Sequence, residues 1–222
     1  MRSIPTAKFV TLEGSEGVGK TTNLELVKQR IEHAGARVVV TREPGGTELG
    51  EQIRELLLQL RTEPMVPLAE LLLMFAARAQ HVETVIKPAL ANGDWVLSDR
   101  FTDASFAYQG GGRGLADSTI ETLQEMVQTD LRPDLTFYLD VAPREGFARI
   151  QGRSLDRLER EQLDFYERVR ATYLARAAAE PGRFVVVDAA ADVAAVGRQL
   201  SGEFDHAIAR WRNRESGDND GS

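Results

Sequence analysis

Apolar residues along the chain fall alternately into short β-branched runs and longer segments with helical spacing. The short runs occupy residues 8–12, 37–41, 95–98, 135–139 and 183–187, and each predicts a buried strand. The longer segments predict helices because their apolar positions recur every three or four residues, as Leu24, Val27 and Ile31 do in the first of them. The predicted helices cover residues 19–34, 47–60, 67–91, 102–108, 117–129, 161–179 and 191–211, and another begins at Pro143.

Alternation of strands and helices predicts an α/β fold. The strands are expected to form a five-stranded parallel sheet flanked by helices on both faces. Ligands of such sheets bind beyond the carboxyl ends of the strands. We therefore expect the functional residues to follow positions 13, 41, 98, 140 and 187.

The composition is that of an ordinary soluble domain. Of 222 residues, 42% are hydrophobic and 27% charged, which suits one domain over residues 1–212, and the polar residues 213–222 predict a disordered tail. No apolar run is long enough to cross a membrane, and the N-terminal residues are too polar for a signal peptide, so we expect a cytoplasmic protein. The net charge of −7 argues against a nucleic-acid polymer as partner, and the absence of cysteine excludes thiolate chemistry.

The most specific local motif directly follows the first predicted strand. Residues 14–21, the phosphate loop, match G-x-x-x-x-G-K-[ST], in which glycines let backbone N–H groups converge on phosphate oxygens at a helix N-terminus. Lys20 then reaches the outer phosphates, and the Thr21 hydroxyl is placed to bind Mg²⁺. The motif predicts a P-loop NTPase fold that binds ATP or GTP with Mg²⁺. The predicted nucleotide-binding residues are Gly14, Ser15, Glu16, Gly17, Val18, Gly19, Lys20, Thr21 and Thr22.

A carboxylate inside this loop is unexpected. Glu16 would repel a polyphosphate that it faced. It either points toward a second substrate that offers a hydroxyl group, or it is a solvent-exposed loop acid. The residues of the loop leave both interpretations open.

Two arginines follow the next two predicted strands. Arg42 comes one position and Arg100 two positions after an apolar strand, so both are expected at the crevice beside the phosphate loop. Two guanidinium groups at one place can hold a phosphate monoester, whereas either arginine alone would more simply form a surface ion pair. Asp99 can bind Mg²⁺ through water or orient an acceptor phosphate. These residues predict a kinase with two neighbouring phosphate sites.

Several longer segments resemble one known family. EGSEGVGKTT, TREPGGT, LLLMFAARAQH, SDRF, AYQGGGRG and SLDRLEREQLDFYERVR together resemble the bacterial thymidylate kinases, over residues 8 to about 190. The resemblance implies transfer of the ATP γ-phosphoryl group to the 5′-phosphate of dTMP, which gives dTDP and ADP. The catalytic residues that it implies are Lys20, Asp99, Arg100 and Arg153.

The resemblance also implies how the phosphate and sugar of dTMP are bound. Arg42 and Arg100 match the arginines that hold the phosphate. Glu16 matches a carboxylate that reaches the deoxyribose 3′-hydroxyl, and Tyr108 matches a ring packed against C2′.

Three further residues match the family's base-binding positions. Phe75 matches the ring that stacks on thymine, and Arg78 matches the donor to a thymine carbonyl oxygen; the two lie three residues apart and hence on one helix face. Gln109 matches a side chain near the base edge. Without the resemblance, Phe75 would be interpreted as core and Arg78 as a surface ion pair.

Residues 149–160 resemble a mobile lid. Because the phosphate loop contains no arginine, the resemblance implies that Arg153 of the lid acts on the transferring phosphoryl group. Arg149 and Arg157 either share this role or belong to a solvated turn. Asp99 is interpreted as a positioning and metal-binding residue, since a phosphate acceptor is already ionised near neutral pH.

The resemblance implies a homodimer formed by packed helices. Apolar faces within residues 67–91 and 118–128 could form the interface, or could equally belong to the core. Two other functions stay open on the residues alone. One is a sister kinase with another acceptor, such as dUMP or a deoxynucleoside, and the other is a P-loop regulatory module that hydrolyses ATP slowly.

Overall fold

The sheet predicted from the sequence is present. The computed structural model describes residues 6–149 and 156–219. Its strands are β1 (Phe9–Glu13), β2 (Val38–Arg42), β3 (Trp95–Asp99), β4 (Leu135–Asp140) and β5 (Phe184–Asp188). All five are parallel, in the order β2-β3-β1-β4-β5. The predicted α/β fold is confirmed, and β1, which leads into the phosphate loop, is the central strand.

Helices lie between the strands. They are α1 (Lys20–His33), α2 (Glu48–Leu58), α3 (Pro67–His81), α4 (Lys87–Ala91), α5 (Thr102–Ser105), α6 (Asp117–Gln128), α7 (Pro143–Arg149), α8 (Leu163–Ala179) and α9 (Val193–Asn219). Two π-helical segments, Val82–Ile86 and Phe106–Gly112, continue α3 and α5 without a break. Thr47 caps α2 by accepting a hydrogen bond from the Gly50 N–H at 2.9 Å.

Two helix ends differ from the prediction. The helix predicted to end at 108 continues as the π-helical segment through Gly112, because the three glycines are accommodated in a widened turn rather than breaking the helix. The last helix reaches Asn219 instead of residue 211, so residues 213–219 are helical although a disordered tail is predicted for 213–222. The tail is predicted to be disordered because it is polar, but the arginine and glutamate in this stretch are polar residues with high helix propensity. None of the described helices is long and apolar enough to cross a membrane.

One face of the sheet is covered by α1 and α9. Trp95, at the start of β3, packs edge-on against Trp211 of α9, with 5.5 Å between ring centroids. Leu12, Leu97 and Phe137, one from each central strand, are fully buried in the same cluster. Close packing on this face fixes the strands whose carboxyl ends carry the polar residues.

The glycines of the π-helical segment 106–112 allow it to approach α8 closely. A Cβ atom at Gly111 would lie 2.1 Å from the Thr172 hydroxyl oxygen and 3.0 Å from the Arg168 carbonyl oxygen. The Arg168 guanidinium donates to the carbonyls of Gly111 and Gly112 at 3.1 and 3.0 Å. Close approach of the glycine backbone and hydrogen bonds from the Arg168 side chain therefore join α8 to the segment that contains Tyr108.

Replacement of Gly111 by alanine tests this contact. The added methyl group has no room, so the free energy of unfolding should fall by about 1–3 kcal/mol. Gly202→Ala in α9 is the matched control: nothing lies within 4 Å of its Cβ position, and stability there should stay constant or rise by up to ~1 kcal/mol. Urea unfolding of both variants measures the difference. Equal stabilities would contradict the close approach.

Candidate active site

The phosphate loop joins the central strand to α1. Gly14, Gly17 and Gly19 have φ angles of 148°, 74° and 83°, a backbone that only glycine adopts readily. At Gly17 a Cβ atom would also lie 2.2 Å from the Gly146 carbonyl oxygen. Lys20 Nζ donates to the carbonyls of Gly14 and Ser15 at 3.1 and 2.9 Å. The loop therefore curls around the lysine ammonium group at the N-terminus of a 14-residue helix.

Other predicted nucleotide-binding residues differ in exposure. Val18 is buried in the core beneath the loop, and Ser15 is also buried. Thr21 and Thr22 are exposed at the first turn of α1. Burial and the neighbouring Arg100 charge lower the pKa of Lys20, against the opposing effect of Glu16 and Asp99. The loop thus combines buried residues, Ser15 and Val18, with the accessible hydroxyl groups of Thr21 and Thr22.

Strand β3 ends beside this loop and delivers Arg100. Leu12 pairs with Asp99 across the two strands, and the Arg100 N–H donates to the Leu12 carbonyl at 3.0 Å. Arg100 has a φ of 67°, an unusual angle for a residue with a side chain. This backbone bend turns the side chain back toward the phosphate loop.

The Arg100 guanidinium is held by three oxygen atoms. Its Nη2 donates to the Gly14 carbonyl at 3.1 Å, the Glu16 carboxylate at 2.5 Å and the Tyr108 hydroxyl at 3.0 Å. Its Nε is buried without a partner. Of the two interpretations of Glu16, a carboxylate turned toward a second site agrees with this contact. Arg100, Glu16 and Tyr108, predicted from three separate segments, meet at one place.

A buried carboxyl group, that of Glu13, fixes the backbone beneath Arg100. Glu13 Oε1 accepts from the Phe101 N–H at 2.7 Å, and its Oε2 accepts from the Tyr173 hydroxyl at 2.7 Å. Burial is the main cause that raises the pKa of Glu13 to about 8, and repulsion from Asp103 is the second. Glu13 thereby links β1, the bend after β3 and α8.

The residues predicted to bind Mg²⁺ fit a sparsely coordinated ion. One carboxylate oxygen of Asp99, Oδ1, is buried without a hydrogen-bond partner, so it is available as a ligand. Within residues 6–149 and 156–219, no three His, Asp or Glu side chains converge on a common point. Mg²⁺ commonly takes one or two protein oxygens and completes its shell with phosphate and water. Asp99 and Thr21 suit such an ion and not a metal held entirely by protein.

A cavity of about 200 Å³ opens beside Arg100. It lies between α2, α3, the π-helical segment and the chain that follows residue 155. Its walls are formed by Glu16, Glu43, Pro44, Arg54, Leu58, Met74, Arg78, Arg100, Phe101, Ala104, Ser105, Tyr108, Gln109, Asp156, Leu158 and Glu159. We call it the central cavity.

Arg54 is a cationic wall residue that the sequence analysis missed. Its Nη1 donates to the Pro44 carbonyl at 2.9 Å. Burial and repulsion by Arg42 and Arg100 lower the pKa of Arg54. Arg54 is therefore close enough to both guanidinium groups to interact with them electrostatically. Arg42 itself is half exposed and pairs with Glu51 at 2.8 Å. No motif signals Arg54, because it is one arginine in an amphipathic helix.

Arg78 is fixed in the wall of the central cavity. Its Nε donates to Glu43 Oε2 at 2.7 Å, and its Nη2 donates to Ser105 Oγ at 3.0 Å. Its Nη1 is buried without a partner. Glu43 is held in turn by His81, whose Nδ1 lies 2.9 Å from Glu43 Oε1, and His81 Nε2 lies 2.6 Å from Thr41 Oγ1. This buried chain leaves the Nη1 atom of Arg78 without a partner.

The structure buries Phe75, the residue expected to stack on thymine. Phe75 is 2% exposed and packs in the core with Leu71 and Phe106, and the Arg78 guanidinium lies over its ring at 4.5 Å. Met74, the preceding residue, lines the central cavity instead. The helix phase explains the difference, since positions three and four residues before Arg78 both share its side of the helix. Phe75 supports Arg78 from beneath rather than facing the cavity.

Gln109 is buried in the wall of the central cavity. It is 1% exposed, and its Nε2 donates to Glu70 at 2.8 Å. Tyr108 precedes it on the π-helical segment and faces Arg100. The two residues thus contribute different polar groups to the cavity wall.

Two arginines of the predicted lid, Arg149 and Arg157, make separate contacts in the structure. Arg153 lies outside the described residues. Arg149 donates to the Ala189 carbonyl at 2.8 Å, close to the phosphate loop. Arg157 donates to the Leu57 carbonyl at 2.7 Å and pairs with Glu70, so it anchors the C-terminal part of the predicted lid and does not contact the phosphate loop.

The raised pKa of Glu13 leads to a pH-dependent stability. The folded chain keeps this proton up to about pH 8, whereas the unfolded chain releases it near 4.5. Between these values the folded state binds more protons, so the free energy of unfolding decreases as pH rises, by at most about 1.4 kcal/mol per pH unit. Glu13→Gln removes the titrating group and should flatten this slope. Urea unfolding at about pH 5.5 and about pH 8.5 compares the two proteins. Identical slopes would refute the assignment.

The chain is similar to known thymidylate kinases over almost its whole length. The model of the family described as thymidylate kinase matches residues 12–200. The thymidylate kinase of Methylococcus capsulatus is 53% identical over 203 residues, which cover 91% of this chain and 97% of that protein. That of Hahella chejuensis is 56% identical over 182 residues, which cover 82% and 88%.

Solved structures agree with the sequence matches. The crystal structure of thymidylate kinase from Ehrlichia chaffeensis superimposes with a TM-score of 0.73 at 33% identity, covering 92% of this chain and 100% of that one. The chain therefore belongs to the thymidylate kinase family.

Proposed function

We propose that this protein transfers the γ-phosphoryl group of ATP to the 5′-phosphate of dTMP and releases dTDP and ADP. The observation that carries the proposal is the contact between Arg100 and the phosphate loop. Arg100 donates to the Gly14 carbonyl and also lines the central cavity, and its Nε has no partner. One side chain thus joins a site for a donor phosphate to a site for an acceptor.

The phosphate loop binds the ATP phosphates in this proposal. Its backbone N–H groups and the N-terminus of α1 supply fixed positive potential, and Lys20 exchanges its loop carbonyls for phosphate oxygens. Thr21 and Asp99 are the proposed Mg²⁺ ligands. Mg²⁺, when bound, neutralises charge on the β- and γ-phosphates.

The central cavity accepts dTMP with its phosphate toward Arg100. Arg54 and Arg42 contribute positive charge at the same end, and this permits one anion to approach another. Glu16 and Tyr108 contact the sugar, where a ring close to C2′ favours deoxyribose. Arg78 Nη1 donates to a thymine carbonyl oxygen, and Met74 covers the base where Phe75 was expected.

The reaction needs positioning more than proton transfer. An oxygen of the dTMP phosphate attacks the γ-phosphorus, and the bond from that phosphorus to the β–γ bridging oxygen breaks, so ADP leaves with the electron pair. The acceptor oxygen is already ionised near neutral pH, and Asp99 therefore orients rather than removes a proton. Lys20 and Arg100 hold donor and acceptor in line. Arg153 is proposed, from the family resemblance alone, to stabilise the transferring group.

A coupled assay of ADP release tests the activity. ADP should form with dTMP present and should not form without a nucleoside monophosphate; dUMP, dCMP and thymidine are run as alternative acceptors. Turnover that is independent of any monophosphate would instead identify a slow ATPase. Turnover with thymidine, which has no 5′-phosphate, would leave the arginines of the central cavity without a function.

Substitution of Arg100 by alanine tests the acceptor site. Loss of a charged hydrogen bond to the phosphate costs at least ~1.4 kcal/mol, so kcat/KM for dTMP should fall at least tenfold. Arg37→Ala is the control, since Arg37 is exposed and pairs with Asp94 at the opposite end of the sheet. Steady-state kinetics of both variants gives the comparison. An R100A enzyme with unchanged kcat/KM would exclude this role.

We also propose a homodimer, and a cytoplasmic location where ATP is available. Exposed apolar side chains support the dimer, since Leu49 and Leu56 of α2 and Leu68 and Leu72 of α3 are each 44–48% exposed, on two helices that pack together. Met126 of the neighbouring α6 is 72% exposed. Faces of this kind are common in protein–protein interfaces.

A charge on this face should separate the subunits. Leu72→Glu buries a carboxylate in the proposed interface, so the mass in solution should fall from twice 24.5 kDa to 24.5 kDa. Light scattering during gel filtration measures it. Gln29→Glu adds the same charge at an exposed site on α1, away from α2 and α3, and should leave the mass unchanged. A wild-type chain that is already monomeric would refute the dimer.

A further inference from the structure

Two polar groups remain available at the base end of the central cavity. Arg78 has used Nε on Glu43 and Nη2 on Ser105, and only its Nη1 donor is unpaired. Gln109 has both a donor and an acceptor on one amide group, so the orientation of that amide decides which of the two it presents to a ligand. The hydrogen-bond partners of Gln109 therefore decide what the cavity can recognise.

Glu70 determines the orientation of the Gln109 amide. Gln109 Nε2 donates to Glu70 Oε1 at 2.8 Å, and a carboxylate offers acceptors only. A reversed amide would place its oxygen against the carboxylate, with two acceptors facing each other. Gln109 Oε1 is thereby kept as the acceptor that the amide can offer to a ligand.

Glu70 is itself fixed as a carboxylate by two arginines. Arg113 Nη2 lies 3.1 Å and Arg157 Nη2 lies 2.8 Å from Glu70 Oε2, and the side chain of Glu70 is fully buried. Burial alone would raise the pKa of Glu70, but the Gln109 hydrogen bond and the two positive charges lower it overall. The acceptor-only state of Glu70 is therefore maintained at neutral pH.

We propose that Glu70 is a positioning residue that sets base selectivity, because it holds the Gln109 amide so that the cavity presents an acceptor at Oε1 beside the donor at Arg78 Nη1. This inference rests on the proposed function. A pyrimidine with a carbonyl oxygen at C4 and an N–H at N3 complements that pair, as thymine and uracil do. Cytosine has an amino group at C4 and an unprotonated N3, so it opposes both groups.

Glu70→Gln tests the proposal with nearly the same side-chain shape. The introduced amide can accept or donate, so the Gln109 amide is free to reverse. The ratio of kcat/KM for dTMP to kcat/KM for dCMP should fall about tenfold or more. A loss of general packing would lower both values together and leave the ratio constant.

Two further variants separate positioning from structural damage. Glu161→Gln is the matched control: Glu161 pairs with Arg113 at 2.6 Å in the same cluster and does not bond to Gln109, so its ratio should equal that of the wild type. The exchanged variant Glu70→Gln with Gln109→Glu should restore the ratio, because the amide introduced at position 70 then donates to the carboxylate introduced at position 109. The other oxygen of that carboxylate still presents an acceptor to the cavity.

The outcomes distinguish this inference from the proposed function. Wild-type enzyme that does not phosphorylate dTMP refutes the function itself. Wild-type enzyme that prefers dTMP, together with a folded E70Q variant of unchanged ratio, refutes only the role of Glu70. If circular dichroism shows that E70Q is unfolded, the double variant Glu70→Gln with Gln109→Glu decides. A wild-type ratio of kcat/KM for dTMP to that for dCMP supports the proposal, and a ratio about tenfold lower overturns it.

Discussion

The contact between the Arg100 guanidinium and the phosphate loop is the interaction on which the site depends. It exists because β1 and β3 are neighbouring parallel strands whose ends are in register, with Leu12 opposite Asp99. The bend at Arg100 carries an unusual φ angle, and the buried Glu13 carboxyl stabilises that bend through the Phe101 N–H. The Arg100 side chain is thus directed toward the phosphate loop by the pairing of β1 with β3, by its own unusual backbone angle and by the buried Glu13.

Positive charge in the central cavity is matched by nearby carboxylates. Arg100 contacts Glu16, Arg78 contacts Glu43, and Glu70 lies between two other arginines. Each pairing satisfies a buried charge that would otherwise be costly, and the pairings of Arg100 and Arg78 each leave a defined atom unpaired. The same contacts that stabilise the fold therefore orient the binding groups before a ligand arrives, which is the basis of preorganisation.

Much of the fold follows from local features of the sequence. The five strands and the phosphate loop are signalled by apolar runs and by glycine spacing, which act over a few residues. Met74 and Phe75 show what the sequence does not determine. Helix α3 is apolar on several sides, so the spacing to Arg78 does not decide which of the two residues faces the cavity. Glu70 shows another limit: its partners lie 39 residues or more away in sequence, so only folding reveals them. Resemblance to a family identified Gln109, yet the orientation of its amide required the three-dimensional arrangement.

The tryptophan pair has a practical consequence for spectroscopy. Trp95 and Trp211 are the two tryptophans of the chain, and their rings meet where α9 docks on the amino end of β3. A strand of five residues extends for about 13 Å, so the indole groups are separated from the catalytic end of the sheet by its full length. Tryptophan fluorescence of this protein is therefore expected to report the undocking of its C-terminal helix rather than substrate occupancy.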